Sequence, residues 1–263
     1  LLDAEGPYSL ELCSSTSRSG GARSGCVEAD NVFFGDVILC SGQSNMERDV
    51  DYVYNSTAEI ATVDDFPLLR LFQINKPDVP NCGVHDPQLE LDGSCLYQPD
   101  GDGPGNPCSQ PVKRWVEANT TWVSRFSAIC YLSARDALAS GGHAVGLIET
   151  DYGGTPIQAW SPPDALEACG APLDDCDVEP GQNCSGYPSV LFNRMVAPVM
   201  GRGMRAVIWY QGEANSNEGF PLARDAYGCL MTAMGQAWRK ASLAAGGGGS
   251  TAWVIVQISA WFG

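Results

Sequence analysis

Ser44 follows Gly42 and Gln43 where the apolar run VFFGDVILC gives out, and Asn45 comes directly after it. A sharp turn there can hold the serine hydroxyl in the open, where it could attack the carbonyl carbon of an ester. Such an attack also needs a base, and donors aimed at the oxyanion of the tetrahedral intermediate. The backbone N–H of Ser44 is one available donor. Gly153 or Gly154, in the stretch YGGTP, can offer a second backbone N–H at close approach because neither carries a side chain. The side-chain amide of Gln211, in QGEAN, can supply a third. One donor of this kind typically contributes about 3 kcal/mol to the transition state. Asn45, Glu213 and Asn215 are then left to orient these groups or to bind substrate. Each fragment alone is ordinary turn chemistry. Only their joint placement carries an argument.

That placement depends on the elements around them. VFFGDVILC from Val32, LRLFQI (Leu69–Ile74), AVGLIETD, RAVIWY and AWVIVQIS (Ala252–Ser259) read as five buried strands, each almost continuously apolar. SAICYLSARDALAS (Ser127–Ser140) has helical spacing and is stopped by Gly141 and Gly142. Ser189–Met200 reads as a helix that Pro198 kinks or ends, and Asp225–Ser242 as a further helix. Gly246–Ser250 reads as a flexible connection from that helix to the last strand. Tyr8 to Leu12 reads as strand, with a Ser/Gly-rich connection from Ser14 to Gly25. Alternating strands and helices predict a parallel sheet with helices on both faces. Ligands of such sheets sit at the carboxyl ends of the strands. The tips SGQSN, YGGTP and QGEAN should therefore meet.

The bulk composition excludes several classes. A chain of 263 residues with 44% hydrophobic and 17% charged residues is globular. Its formal charge of -16 argues against nucleic acid and against anionic membrane surfaces, which attract Lys and Arg. No apolar run is long enough to span a bilayer, so no membrane insertion is expected. Eleven cysteines point to an oxidising compartment. None are spaced C-x-x-C, so neither a zinc site nor another metal is expected. Cys82, Cys95 and Cys108, and again Cys169, Cys176 and Cys184, sit in loop-like stretches suited to disulfides. Cys40 and Cys130 lie in apolar segments and read as buried free thiols. Sequons at Asn55, Asn119 and Asn183 are expected to carry N-glycans, which agrees with the secretory pathway, extracellular or lysosomal.

GDVILCSGQSNM, FSAICYLSARDAL, GLIETDYGGTPIQAWSP and VIWYQGEAN, in this order, resemble the sialate O-acetylesterase family. That family belongs to the SGNH hydrolases and is related to acetylxylan esterases. The resemblance implies an α/β fold, a three-layer sandwich around a central parallel sheet of the SGNH or flavodoxin-like kind. It implies that residues 1–31 end a β-rich amino-terminal domain and that 32–263 form the esterase domain. Cysteine-rich insertions would lie at about 76–114 and 162–188. By the same resemblance Ser44 is the nucleophile, Gly153 and Gln211 fall where relatives place oxyanion donors, and the substrate is an O-acetylated carbohydrate, above all an O-acetylated sialic acid. No cofactor is implied. Trp160 matches a tryptophan that either packs the core or stacks on sugar.

The base breaks the match. The family's histidine sits in a D-x-x-H-like motif after the last strand, and no D-x-x-H occurs here. The expectation is that this loop is missing and that the chain as written is nearly inactive. His143 precedes the third strand, roughly 30 Å from Gly153 if the segment is extended. His85, beside Asp86, emerges on the correct edge, but adjacent residues seldom give triad geometry. The alternative reading is a carbohydrate-binding relative that has lost its base. A third, a cysteine-stapled scaffold, treats the motifs as coincidence.

Overall fold

The computed structural model describes residues 6–15, 23–74, 115–141, 143–171, 185–201, 203–216, 221–244 and 251–259. Strands β1 (Tyr8–Ser15) and β2 (Arg23–Val32) form an antiparallel hairpin, cross-linked by Cys13–Cys26. Then come β3 (Asp36–Gly42), α1 (Ser56–Ala61), β4 (Leu69–Gln73), β5 (Val116–Glu117), α2 (Thr120–Ser124), α3 (Ala128–Ala139) and β6 (Val145–Asp151). The chain continues through α4 (Ile157–Trp160), α5 (Pro163–Ala168), β7 (Ala206–Tyr210), α6 (Glu213–Ser216), α7 (Pro221–Ala244) and β8 (Ala252–Ile255). The sheet order is β5-β4-β6-β3-β7-β8, parallel throughout except for the two-residue β5, which runs antiparallel at one edge.

Neighbouring residues on a strand face opposite sides of a sheet, so a strand buried on both sides must be apolar at every position. Leu39 and Cys40, Leu147 and Ile148, Val207 and Ile208 are such pairs, one member in each of two cores. One core packs Leu39, Ile148 and Val207 against α4, α5 and α7, with Leu230, Met234 and Trp238 forming the i, i+4, i+8 stripe of α7. The other packs Cys40, Leu71 and Leu147 against α3 and the segment around Val50 and Val63. This is the α/β sandwich expected, with helices on both faces.

Several elements differ from the sequence reading. VFFGDVILC is not one strand. Val32 pairs with Tyr8 in the hairpin, and β3 starts at Asp36, whose N–H donates to the Ala144 carbonyl. At the intervening Gly35 a Cβ would stand 1.9 Å from that same carbonyl oxygen, so two backbones touch there. Ser189–Met200 is not a regular helix but a wide π-type turn (Phe192–Val196) followed by a 3₁₀ turn (Ala197–Val199). Pro198 has no N–H to continue a helical ladder. Within the second insertion, α5 is a packed helix with Leu166 fully buried. Cys40 and Cys130 are not free thiols but a disulfide joining β3 to α3, and Cys169 pairs with Cys229 on α7. The remaining five cysteines, the insertion at 76–114, His85, Asn183 and the connection Gly246–Ser250 lie outside the described residues.

The hairpin is fastened to the base of the sheet. Arg70 Nη2 donates to Asn31 Oδ1 at 3.0 Å, the guanidinium stands 4.5 Å over the Phe33 ring, and Asn31 Nδ2 bonds Glu117. A cavity of about 430 Å³ lines this seam beside Trp115, at the amino ends of the strands and away from the serine turn.

Candidate active site

Three strand tips meet through backbone hydrogen bonds. Gln43 N–H donates to the Tyr210 carbonyl at 3.1 Å, and Tyr152 N–H to the Gly42 carbonyl at 3.1 Å. The turns after β3, β6 and β7 are thus held together. Gly42, at φ +152°, makes this possible, since a Cβ there would lie 2.1 Å from the Tyr210 carbonyl oxygen. Beyond it the chain closes one turn, with Met46 and Glu47 N–H donating to the Gln43 carbonyl at 2.8 and 3.0 Å. Gln43 and Met46 are buried inside this turn, whereas Ser44 and Asn45 stand exposed at its apex.

Gly153 lies against that apex. A Cβ on it would be 3.5 Å from Ser44 Cβ and 2.8 Å from Glu47 Oε2. Gly154 adopts φ +75°, a left-handed conformation that favours glycine, and no atom lies within 4 Å of where its Cβ would be.

Gln211 is 3% exposed, and its amide nitrogen faces three acceptors: Gln43 Oε1 at 3.1 Å, the Thr155 carbonyl at 3.1 Å and Asn215 Oδ1 at 2.7 Å. Asn215 extends the network, accepting from Ile157 N–H at 2.8 Å and donating to Gln158 Oε1 at 3.0 Å. Ala214 N–H donates to Gln43 Oε1 at 3.1 Å. The Tyr227 hydroxyl, on α7, lies 2.9 Å from both Gln211 oxygens. Burial raises the pKa of that phenol, so it remains a donor at neutral pH. Asn45 Nδ2 bonds Glu213 Oε1 across the mouth of the site.

Ser44, Asn45, Gly153, Gln211, Glu213 and Asn215 are therefore brought together, with Gly154 next to them. His143 is exposed and precedes β6, so the whole strand separates it from Gly153. Trp160 is a core residue: fully buried, it donates from Nε1 to Thr155 Oγ1 at 3.0 Å and stands edge-on to Trp209.

Sequence reasoning missed four contributors. Gln43 carried a signal, being a polar residue fixed inside the turn. Tyr227 carried none, since nothing local ties a tyrosine in a long helix to a distant glutamine. Glu149 and Asp151 were legible as two carboxylates alternating within an apolar strand, a costly pattern without a purpose. Both are 2% exposed. Burial first, and the Asp151 carboxylate second, push the Glu149 carboxyl well above the usual carboxylate range.

A three-layer α/β sandwich with a serine turn at the carboxyl edge of its sheet falls in the SGNH-like class. The chain belongs to the carbohydrate-esterase family of sialic acid-specific acetylesterases, whose family model matches residues 110–255, more than half of the chain. It is 31% identical over 210 residues to the human (Homo sapiens) sialate O-acetylesterase, covering 80% of this chain and 36% of that protein. The rat (Rattus norvegicus) sialate O-acetylesterase is 30% identical over 238 residues, with 80% and 40% covered. The chain thus spans well under half the length of these relatives. Among solved structures, a carbohydrate acetylesterase from Xanthomonas citri superposes with a TM-score of 0.61 at 24% identity, over 89% of this chain and 46% of that one.

Proposed function

We propose that the chain carries the nucleophile of a serine-dependent carbohydrate O-acetylesterase acting on O-acetylated sialic acids. Ser44 Oγ attacks the acetyl carbonyl carbon while a base takes its proton. The backbone N–H groups of Ser44 and Gly153 receive the oxyanion. The C–O bond to the sugar then breaks, the sugar hydroxyl leaves with the proton, and water hydrolyses the acetyl-serine to acetate. Gln211 serves as a third donor only by releasing one of its internal acceptors, and in the state described here it locks the three tips together. The base stands outside the described residues. The observation that carries this reading is the contact of Gly153 with Ser44 at the shared carboxyl edge of β3 and β6.

Treatment with a fluorophosphonate probe, alongside acetate release from an O-acetylated sialic acid, tests the reading. Ser44→Ala should abolish covalent labelling and lower any acetate release by about 10⁴-fold or more. Labelling that survives the substitution would remove Ser44 from the mechanism. A second reading, a sugar-binding relative without turnover, is favoured by the position of His143, the one described histidine, away from the site. It predicts binding of the acetylated sugar without acetate release.

The compartment we propose is the secretory pathway, extracellular or lysosomal. Three disulfides among the described residues support it, as do the exposed sequon residues Asn55 and Asn119. Asn119 Oδ1 caps α2 by accepting from Thr121 and Trp122 N–H, while its Nδ2 is the atom that a glycan would occupy.

A further inference from the structure

Gln211, the residue after β7, holds its side-chain amide between two sets of partners of opposite kind. Its nitrogen faces Gln43 Oε1 at 3.1 Å, the Thr155 carbonyl at 3.1 Å and Asn215 Oδ1 at 2.7 Å. Each of these must be an oxygen. A carbonyl can only accept, and the Gln43 and Asn215 oxygens are fixed in place by backbone N–H groups, Ala214 at 3.1 Å and Ile157 at 2.8 Å. The other end of the amide, Oε1, meets the Tyr227 hydroxyl at 2.9 Å. Trp209 Nε1, which can only donate, lies 3.4 Å from that hydroxyl. The single hydrogen of the tyrosine therefore goes to Gln211, either to Oε1 or to the main-chain carbonyl, also at 2.9 Å.

The acceptor side is over-subscribed. An amide nitrogen carries two hydrogens, and three oxygens compete for them. Gln43 Oε1 and Asn215 Oδ1 keep their backbone donors whether or not Gln211 bonds them. One hydrogen can thus be withdrawn from Gln43 Oε1, on the residue next to Ser44, without leaving a buried oxygen unpaired. The carbonyl end has no such reserve. Among the described residues, Tyr227 is the one donor to Gln211 Oε1. Tyr227 also stands where α7 is fastened: two residues on, Cys229 is tied to Cys169 at the end of α5, and Leu230 is fully buried.

We infer that Tyr227 is a positioning residue for the proposed reaction: by anchoring Gln211 at Oε1, it lets one Nε2 hydrogen pass from Gln43 Oε1 to the oxyanion while the side chain stays in place. The oxyanion's part rests on the function proposed above; the anchor itself does not.

Without the hydroxyl, Oε1 becomes a buried acceptor with no donor, which is costly. The donors within the network, Ala214 and Ile157 N–H, belong to the acceptor side. The amide then gains by turning its oxygen toward them, and it presents an acceptor where the reaction needs a donor.

Side-chain amide exchange, read by NMR on isotope-labelled protein, tests the anchor without turnover. The Gln211 signals are identified by their absence from Gln211→Met. In Tyr227→Phe the Gln211 amide hydrogens should exchange with solvent about tenfold faster or more, with the β7 backbone amides unchanged. Unchanged exchange at Gln211 would overturn the inference. If Tyr227→Phe fails to fold, the unmodified chain decides: a hydroxyl hydrogen held by Gln211 exchanges slowly enough to show a cross-peak with the Gln211 amide, and one in fast exchange with water would overturn the anchor.

Labelling by a fluorophosphonate probe adds the chemical readout. Tyr227→Phe should lower the maximal labelling rate about tenfold, leaving the half-saturating probe concentration unchanged. In a Gln211→Met background the same substitution should have no further effect. Equal losses in both backgrounds would mean that Tyr227 does not act through Gln211, and the inference would fall. No labelling of Ser44 in the unmodified chain would sink the esterase reading and leave amide exchange to decide the anchor.

Discussion

Gly153 shows how much a single missing side chain can decide. A Cβ there would meet Ser44 Cβ at an ordinary 3.5 Å and Glu47 Oε2 at 2.8 Å, so alanine displaces the end of the Glu47 side chain and leaves the serine turn in place. Gly153→Ala is expected to slow acylation of Ser44 by less than about tenfold, because Glu47 can swing aside without displacing the nucleophile. Its thermal midpoint should stay close to that of the parent, as the site is at the surface. Labelling kinetics with a serine probe, paired with a melting curve, checks both halves. Gly154→Ala acts differently: it meets no neighbour, but its left-handed backbone strains any other residue. That Ser44 and Gly153 would stand side by side was legible because both sit in turns at the ends of parallel strands. The reach of Gln211 to Gln43, Thr155 and Asn215 was not, because side-chain rotamers are settled by neighbours distant in sequence.

At the level of elements, β3 and α3 are joined twice, by the Cys40–Cys130 disulfide and by the Ser127 contacts beneath the turn. The disulfide closes a loop of 90 residues. Replacing both cysteines by alanine should cost about 4–5 kcal/mol by loop entropy, read as a lowered midpoint in chemical denaturation without reductant. Reading the two as free thiols failed because an apolar setting suits a thiol and a disulfide equally, and only packing brings the Cα atoms to 5.9 Å. The start of α2 carries a second prediction. Asn119→Ala should lose about 1 kcal/mol with the cap, whereas Asn119→Asp keeps a capping oxygen and loses only the sequon. Comparing unfolding curves and glycan mass for the two variants separates the cap from the glycan.

For the molecule as a whole, the formal charge of -16 sets the terms on which substrate arrives. A sialic acid is itself an anion, so its approach is opposed at low ionic strength and eased as salt screens the field. On the proposed function, kcat/KM for an acidic acetylated sugar should rise severalfold between about 10 and 150 mM salt, while a neutral acetyl ester changes little. The opposite trend would mean that a local cationic site outweighs the global field. Steady-state kinetics on the two substrates across the salt series makes the distinction.

The sequence by itself determined the α/β layering, since runs such as VGLIETD and AVIWY are buried on both faces only in a parallel sheet flanked by helices. It also determined that SGQSN, YGGTP and QGEAN gather at one edge, because parallel strands all end on the same side. Tertiary structure alone decided that VFFGDVILC splits between two sheets, that Cys40 meets Cys130, and that Trp160 belongs to the core. It alone decided that Glu149 lies against Ser127, whose hydroxyl meets Met46 in the serine turn. Strand periodicity and turn chemistry act over a few residues and can be read along the chain. Pairings such as Cys40 with Cys130 or Gln43 with Gln211 span 90 and 168 residues, and exist only once the sheet has brought distant segments to the same layer.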